Sequence, residues 1–314
     1  MHLYQLRPRF GQLLNVGSCT GHLKPSTFPI RMASKYSSMA GPLPPQQFKL
    51  DRKVWNPSLY ASVHDFWFQG LDQDAKVQNA TTRRRWWGLG RTEEEFKEID
   101  RQVHQLFGPA VHSIGPEKLR LPQWKGFEHE LEHAQEIAAP FIPEIGQGKE
   151  GADTLLALIL LLDQMPRHMF RTPRDLALVY RHYDRLAWSL FRSFKKSSSA
   201  DISTENPLGS SWYHARLVRK HWFKMPLVHS ENMASQEESF AEVVDWQNSA
   251  REKGDQELVE DLQYGVEASK SHRDIVERFG RFPHRNSCLG RESTGEEQEW
   301  LKTGETFGVK QDGK

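Results

Sequence analysis

The chain has 314 residues, with 42 Lys and Arg against 41 Asp and Glu, a net charge of +1, and 37% hydrophobic residues. Near-neutral charge excludes a general attraction to nucleic acid or anionic membrane, and the apolar share suffices for a folded core. Only Cys19 and Cys288 are present, so no disulfide framework is expected and a reducing compartment fits.

Residues 1–50 contain no Asp or Glu but carry Arg7, Arg9, Lys24, Arg31, Lys35 and Lys49 among Ser and Thr. Residues 1–57 are therefore expected to be a disordered N-terminal extension. It has the composition of a mitochondrial transit peptide, or else is an extension with Met32 or Met39 as an internal start. Mitochondrial matrix or cytoplasm is the expected location. In SLYASVHDFWF, residues 58–68, Leu59, Val63, Phe66 and Trp67 recur at helical spacing and Gly70 ends the run. Asp65 there either faces solvent or aims into a polar site.

RRRWWGLGR, residues 83–91, mixes basic and aromatic side chains, a combination that stacks bases and holds phosphates in nucleic-acid binders. An acidic run follows at once and no basic stripe extends it, so no nucleic-acid partner is expected. Thr92 is placed to cap a helix reaching about Phe107, with Phe96, Ile99, Val103, Leu106 and Phe107 inward, and residues 109–122 read as loop. In FEHELEHAQEIA, residues 127–138, His129, Glu130 and His133 match the H-E-x-x-H pattern that puts two zinc ligands on one helical face. The competing reading is a solvated charged face, because Phe127, Leu131, Ala134 and Ile137 supply the apolar side.

A Pro/Gly-rich connector, residues 140–151, precedes the most apolar stretch, residues 155–162, with Asp153 or Thr154 as its cap. Apolar on every side, this helix should be central, yet it is too short to cross a bilayer, so a soluble protein without membrane insertion is expected. It runs into Asp163-Gln164-Met165-Pro166-Arg167. An acid in a last turn opposes the helix dipole at a cost of roughly 0.3–1 kcal/mol, unless a cation such as Arg167 or Arg171 compensates. Such a broken rule marks either a structural clamp or a functional site. A long helix over residues 173–194, a polar insertion over 195–211, and the motif MPLVHSEN, residues 225–232, follow. His229, Ser230 and Glu231 are adjacent in sequence and therefore diverge on a helix, so they form no triad. Asn232 or Ser235 is placed to cap residues 236–248, and Asp255 a longer helix that Gly280 ends. His272 lies on that helix's apolar stripe with Leu258, Leu262, Ser269, Val276 and Phe279. Beyond Pro283 the chain turns back with Arg281, His284, Arg285 and Asn286. Ser293 with Glu296, or Thr294 with Glu297, then forms a capping box. Residues 303–314 read as a flexible tail.

VHDFWF (63–68), LLLDQMPRHMFR (160–171), MPLVHSEN and HRDIVERFGRFPHRNSCLGREST (272–294), in that order, resemble the family called domain of unknown function 924, over roughly residues 58–302. The chain resembles a fungal-type member with an N-terminal extension. The resemblance implies one all-α domain, a tetratricopeptide-like array of about eight to ten helices with no significant sheet, although no repeat of about 34 residues is visible. It implies no activity. Where the family usually shows an acid after Glu231, this chain has Asn232.

The residues themselves leave open whether the chain is an enzyme. The first reading is a buried polar pocket for a small anionic molecule. Asp163, Gln164, Arg167, Arg171, His229, Arg273, Arg281, Arg285 and Asn286 would bind it, and His272, His284 and Glu231 would supply acid/base chemistry. No nucleophile, Gly-rich phosphate loop or cofactor fingerprint stands out, so no cofactor is assigned. The alternatives are a non-enzymatic helical scaffold for a partner peptide, and metal-dependent hydrolysis through His129, Glu130 and His133.

Overall fold

The stretch without a polar face occupies the centre. In the computed structural model, which describes residues 41–197, 206–307 and 309, Leu155 to Asp163 are all fully buried. The helices are α1 (Pro57–Trp67), α2 (Ala80–Trp87), α3 (Glu93–Ser113), α4 (Phe127–Glu132), α5 (Ala134–Ala138), α6 (Gly148–Ile159), α7 (Met165–Met169), α8 (Pro173–Leu178) and α9 (Asp184–Ser197). There follow α10 (Ser211–His214), α11 (Leu217–Lys220), α12 (Met225–Val228), α13 (Met233–Glu252), α14 (Gln256–Phe279), α15 (Asn286–Leu289) and α16 (Gly295–Leu301). Extended pairing among the described residues is limited to a single bridge between Leu43 and Leu119, so the fold is all-α.

The helix ends follow from local chemistry. The Asn56 side chain accepts from Ser58 and Leu59 N–H, Asn232 from Ser235 and Asp255 from Leu258, each satisfying a donor that the first helical turn leaves open. Thr294 and Glu297 form the reciprocal capping box of α16. Gly280 ends α14 at φ 67°, a left-handed conformation that costs glycine nothing.

Several boundaries differ from the sequence expectations. α6 begins at Gly148, with Asp153 inside it rather than at its cap. α3 runs through Pro109 to Ser113, and Leu106 on it is exposed while Val103 and Phe107 are buried. The helix expected over residues 127–138 breaks at His133: before the break Glu130 is 1% exposed and Leu131 43%, the reverse of the expected faces, while Ala134 and Ile137 beyond it are buried as expected. Trp55 and Leu50, inside the stretch expected to be disordered, are buried, and Trp55 Nε1 donates to Ser113 Oγ at 2.9 Å. Residues 1–40, and residues 198–205 of the 195–211 insertion, lie outside the described residues.

The apolar helix does not end at Asp163. It passes through a π-turn, Leu160–Gln164, in which Met165 N–H donates to Leu160 C=O, and continues into α7. Pro166 explains this, since its ring would clash with the carbonyl four residues back and it has no N–H to donate. A second π-turn, Val179–Tyr183, joins α8 to α9, so the expected long helix is continuous but shifted in register. The main core gathers residues of α1, α3, α6 and α9. Smaller ones lie between α13 and α14 (Val243, Ala250, Leu262) and around Ile275, Val276 and Phe282. No helix among the described residues is long and apolar enough to cross a membrane.

Candidate functional site

Asp163 leaves the first π-turn with its carboxylate 0% exposed. Oδ1 accepts from His229 Nδ1 at 2.8 Å and Oδ2 from Gln164 Nε2 at 2.5 Å, while Arg167 Nη2 stands 3.8 Å from Oδ1. Burial alone would raise the Asp163 pKa, but the neighbouring His229 and Arg167 outweigh it and hold the carboxyl below its ordinary value. An ionised carboxylate only accepts, so the His229 proton sits on Nδ1 and the lone pair on Nε2. Burial, then the nearby Arg167 charge, lowers the His229 pKa, which keeps the imidazole neutral near pH 7.

Arg167 also donates to Asp184 Oδ1 at 2.6 Å and to the Asp163 carbonyl at 2.9 Å. Burial acts to lower the Arg167 pKa, but Asp184 and Asp163 more than reverse it, and the group remains a cation. On the far side of Asp184 stands Arg285, 7% exposed, its Nη1 3.9 Å from Oδ2. Its guanidinium carbon lies 4.2 Å from the Tyr180 ring centroid and 4.5 Å from that of Phe282. Arg167 Nη2, Arg285 Nε and Asp184 Oδ2 are buried without a hydrogen-bond partner among the described residues. Each such atom costs about 1–3 kcal/mol unless something satisfies it.

The His272 ring centroid is 6.4 Å from that of His229. His272 Nδ1 donates to Ala268 C=O at 2.8 Å, burial lowers its pKa to about 3, and Phe307 stacks on it at 3.9 Å. His284 is buried beside Phe282 and Phe307, with its pKa pushed well down by burial. The structure thus gathers Asp163, Gln164, Arg167, His229 and Arg285, with His272 at the edge.

The remaining expected residues go elsewhere. Glu231 is clamped by both Arg291 Nη atoms at 2.7 and 2.8 Å and by Phe282 N–H at 2.8 Å. Arg281 forks onto Glu297 at 2.7 and 2.8 Å, and Asn286 donates to the same carboxylate at 3.2 Å, so both lock the α16 end. Arg273 pairs with Glu237 on α13 at 2.8 Å, and Arg171 with Asp100 on α3. Glu130 is held by Arg185 at 2.7 and 2.9 Å. The His129 and His133 rings stack at 4.0 Å, and no group of three or more His, Cys, Asp or Glu among the described residues could hold a metal ion.

Asp184, Tyr180 and Arg291 were not singled out in the sequence. Asp184 reads there as one more charge on an amphipathic helix, and the extra residue of the π-turn turns it by about 100°. Two cavities lie apart from this cluster. One of about 860 Å³ is lined by α1, α6 and α10, with Tyr60, His64, Asp153 and Trp212. One of about 410 Å³ lies between α14 and α16 at Ser271, Phe279 and Trp300. Asp65, on the exposed side of α1, lines the first, and none of the residues expected to bind the anionic molecule lines either.

A family model described as bacterial protein of unknown function (DUF924) matches residues 63–305. A solved structure of a protein of unknown function from Agrobacterium tumefaciens is similar at 24% identity, covering 81% of this chain and 100% of that one, with a TM-score of 0.42. No curated protein matches.

Proposed function

The chain belongs to the DUF924 family of bacterial proteins of unknown function, and since membership brings no activity with it, we propose one from the site alone. The protein binds a small carboxylate that also carries a hydroxyl or ammonium group, and His229 exchanges a proton with it. The observation that carries this reading is the set of unsatisfied atoms beside the His229–Asp163 pair: donors on Arg167 and Arg285, and an acceptor on Asp184. Two guanidinium groups face two carboxylates, so the site is balanced and does not favour a dianion. A ligand bearing one anionic group and one donor would satisfy all three atoms.

His229 is placed to be the base, with Asp163 its orienting partner. Its Nε2 lone pair takes a proton from the ligand, and the imidazolium that forms is stabilised by the Asp163 carboxylate 2.8 Å from Nδ1. His272 cannot exchange roles with it, because Phe307 covers the ring and no carboxylate stands at its Nδ1.

Native mass spectrometry of the full chain, purified and incubated with a metabolite extract, tests this. A small adduct is expected on the wild type and is lost from Arg285→Ala; unchanged retention in that variant overturns the reading. A second reading, a non-enzymatic scaffold of tetratricopeptide-like helix pairs, draws on the closed clamps Glu231–Arg291 and Arg281–Glu297, which fix helix ends and leave no room for chemistry. Absence of any adduct from both proteins would favour it.

A further inference from the structure

The basic and aromatic run at residues 83–91 takes no part in the His229 site, yet it enters a second cluster with its own logic. Arg85 lies 4.2 Å over the Phe66 ring and Arg91 3.8 Å over the Phe96 ring, so each guanidinium is fixed by an aromatic face. Arg85 donates to Gln69 Oε1 at 3.2 Å, but its Nε and Nη2 are buried without a partner, as are Nε and Nη1 of Arg91 and Nε1 of Trp67. Arg171 is close by, forked onto Asp100 at 3.0 and 2.7 Å, with its side chain 52% exposed. The same carboxylate accepts from His168 Nδ1 at 2.8 Å.

Asp100 is bonded to Arg171 alone of the three guanidinium groups, and Arg91 feels the charges of Asp100, Arg171 and Arg85. Burial lowers the Arg91 pKa to about 10, with Arg171 and then Arg85 adding to it and Asp100 opposing. Burial also lowers the His168 pKa, so near pH 7 that ring adds no charge. Neighbouring acids have partners of their own: Glu95 is held by Arg84 at 2.6 Å, and Glu94 and Glu98 by Arg101 at 3.0 and 2.7 Å. The cluster is left with a surplus of two positive charges and, on Arg85 and Arg91, four donor nitrogens that no acceptor among the described residues reaches.

We propose that Arg85, Arg91 and Arg171 form a second anion site, separate from the His229 site, that takes a phosphate dianion. The charge of the ligand equals the surplus. Its oxygens, each accepting more than one hydrogen bond, suit donors arriving from α2, from the loop before α3 and from the residues after α7. Half-exposed Arg171 is the group through which the anion enters. The shared chemistry is the phosphate itself, either free or as the terminal group of a small ester.

The test is calorimetric titration of the full chain at pH 8 and constant ionic strength, with inorganic phosphate in one arm and methyl phosphate in the other. Binding of phosphate is expected, with affinity at least about tenfold weaker in Arg91→Gln and in Arg85→Gln, each of which removes a charge-assisted donor set. Arg285→Gln should bind as the wild type does. The Arg285 variant also separates this proposal from the one above, since a loss confined to Arg285→Gln places the phosphate at the His229 site and overturns the second site. Methyl phosphate binding as well as phosphate assigns the site to esters, and phosphate alone to the free ion. No heat with either, or an affinity in both cluster variants equal to that of the wild type, refutes it.

Discussion

Replacing Asp163 by Asn keeps the shape of the side chain and removes its charge, so it isolates the electrostatic part of the buried pair. The His229 bond at 2.8 Å drops from charge-assisted to neutral, a loss of about 1 kcal/mol. The bond from Gln164 at 2.5 Å suffers more. Asn presents either its amide N–H₂ to Gln164 or its oxygen, and one of the two neighbours then faces a donor, at about 1–3 kcal/mol. Arg167 keeps Asp184 at 2.6 Å and adds little. Asp163→Asn should therefore lose about 2–4 kcal/mol of stability, or a Tm lower by about 4–8 °C for a domain of this size. Urea unfolding followed by circular dichroism at pH 7.5, with calorimetry for Tm, measures it. A change under about 1 kcal/mol would mean that the carboxylate is not held as described, and the orientation of His229 would go with it.

Burial holds His272 and His221 at a pKa of about 3 and His182 at about 4, all below the unfolded value. Each therefore contributes stability that is present above about pH 6.5 and lost as pH falls toward its folded pKa, at up to about 1.4 kcal/mol per pH unit. Urea midpoints should fall from pH 7.5 through 6 to 5, with a shallower slope in His272→Phe; a flat profile contradicts this. Glu130→Ala should cost about 3–5 kcal/mol by stranding Arg185, and a chelator should leave Tm unchanged, because His129 and His133 have no third ligand beside them among the described residues. Gly280→Ala forces φ 67° on a residue with a Cβ and should cost about 1 kcal/mol, read as a Tm lower by about 2 °C.

What could be read from sequence was what depends on near neighbours. Asn232, Asp255, Thr294 and Gly280 cap or end their helices as expected, because a cap needs only the next three residues. Asp163 stood out because it is a charge at the end of a wholly apolar run. Asp184 did not, since its partner Arg167 is 17 residues away and meets it only across a π-turn. The 127–138 segment went wrong for a related reason: an apolar stripe assumes one unbroken helix, and Arg185, 55 residues from Glu130, decides which face is buried. Glu231 and Arg281 were legible as polar groups at a turn but not as clamps, because Arg291 reads as an ordinary surface charge and Glu297 as a cap partner for Thr294 alone.

The density of LLLDQMPRHMFR has a geometric cause. Neighbouring residues on a helix point about 100° apart, so Arg167 and His168 cannot serve the same site. Asp163, Gln164 and Arg167 turn toward His229 and Asp184, whereas His168 and Arg171 turn toward Asp100. In each direction a histidine places its Nδ1 2.8 Å from a carboxylate that an arginine also approaches. The balance differs. Asp163 and Asp184 together offset Arg167 and Arg285, while Asp100 is bonded to Arg171, and Arg91 and Arg85 add two further positive charges on that side. One short segment, set in register by Pro166 and the π-turn before it, thus borders a neutral polar site on one side and a cationic one on the other. A proton-exchanging pair needs the first environment, since a strong surplus of positive charge beside His229 would hold its lone pair too weakly basic to take a proton.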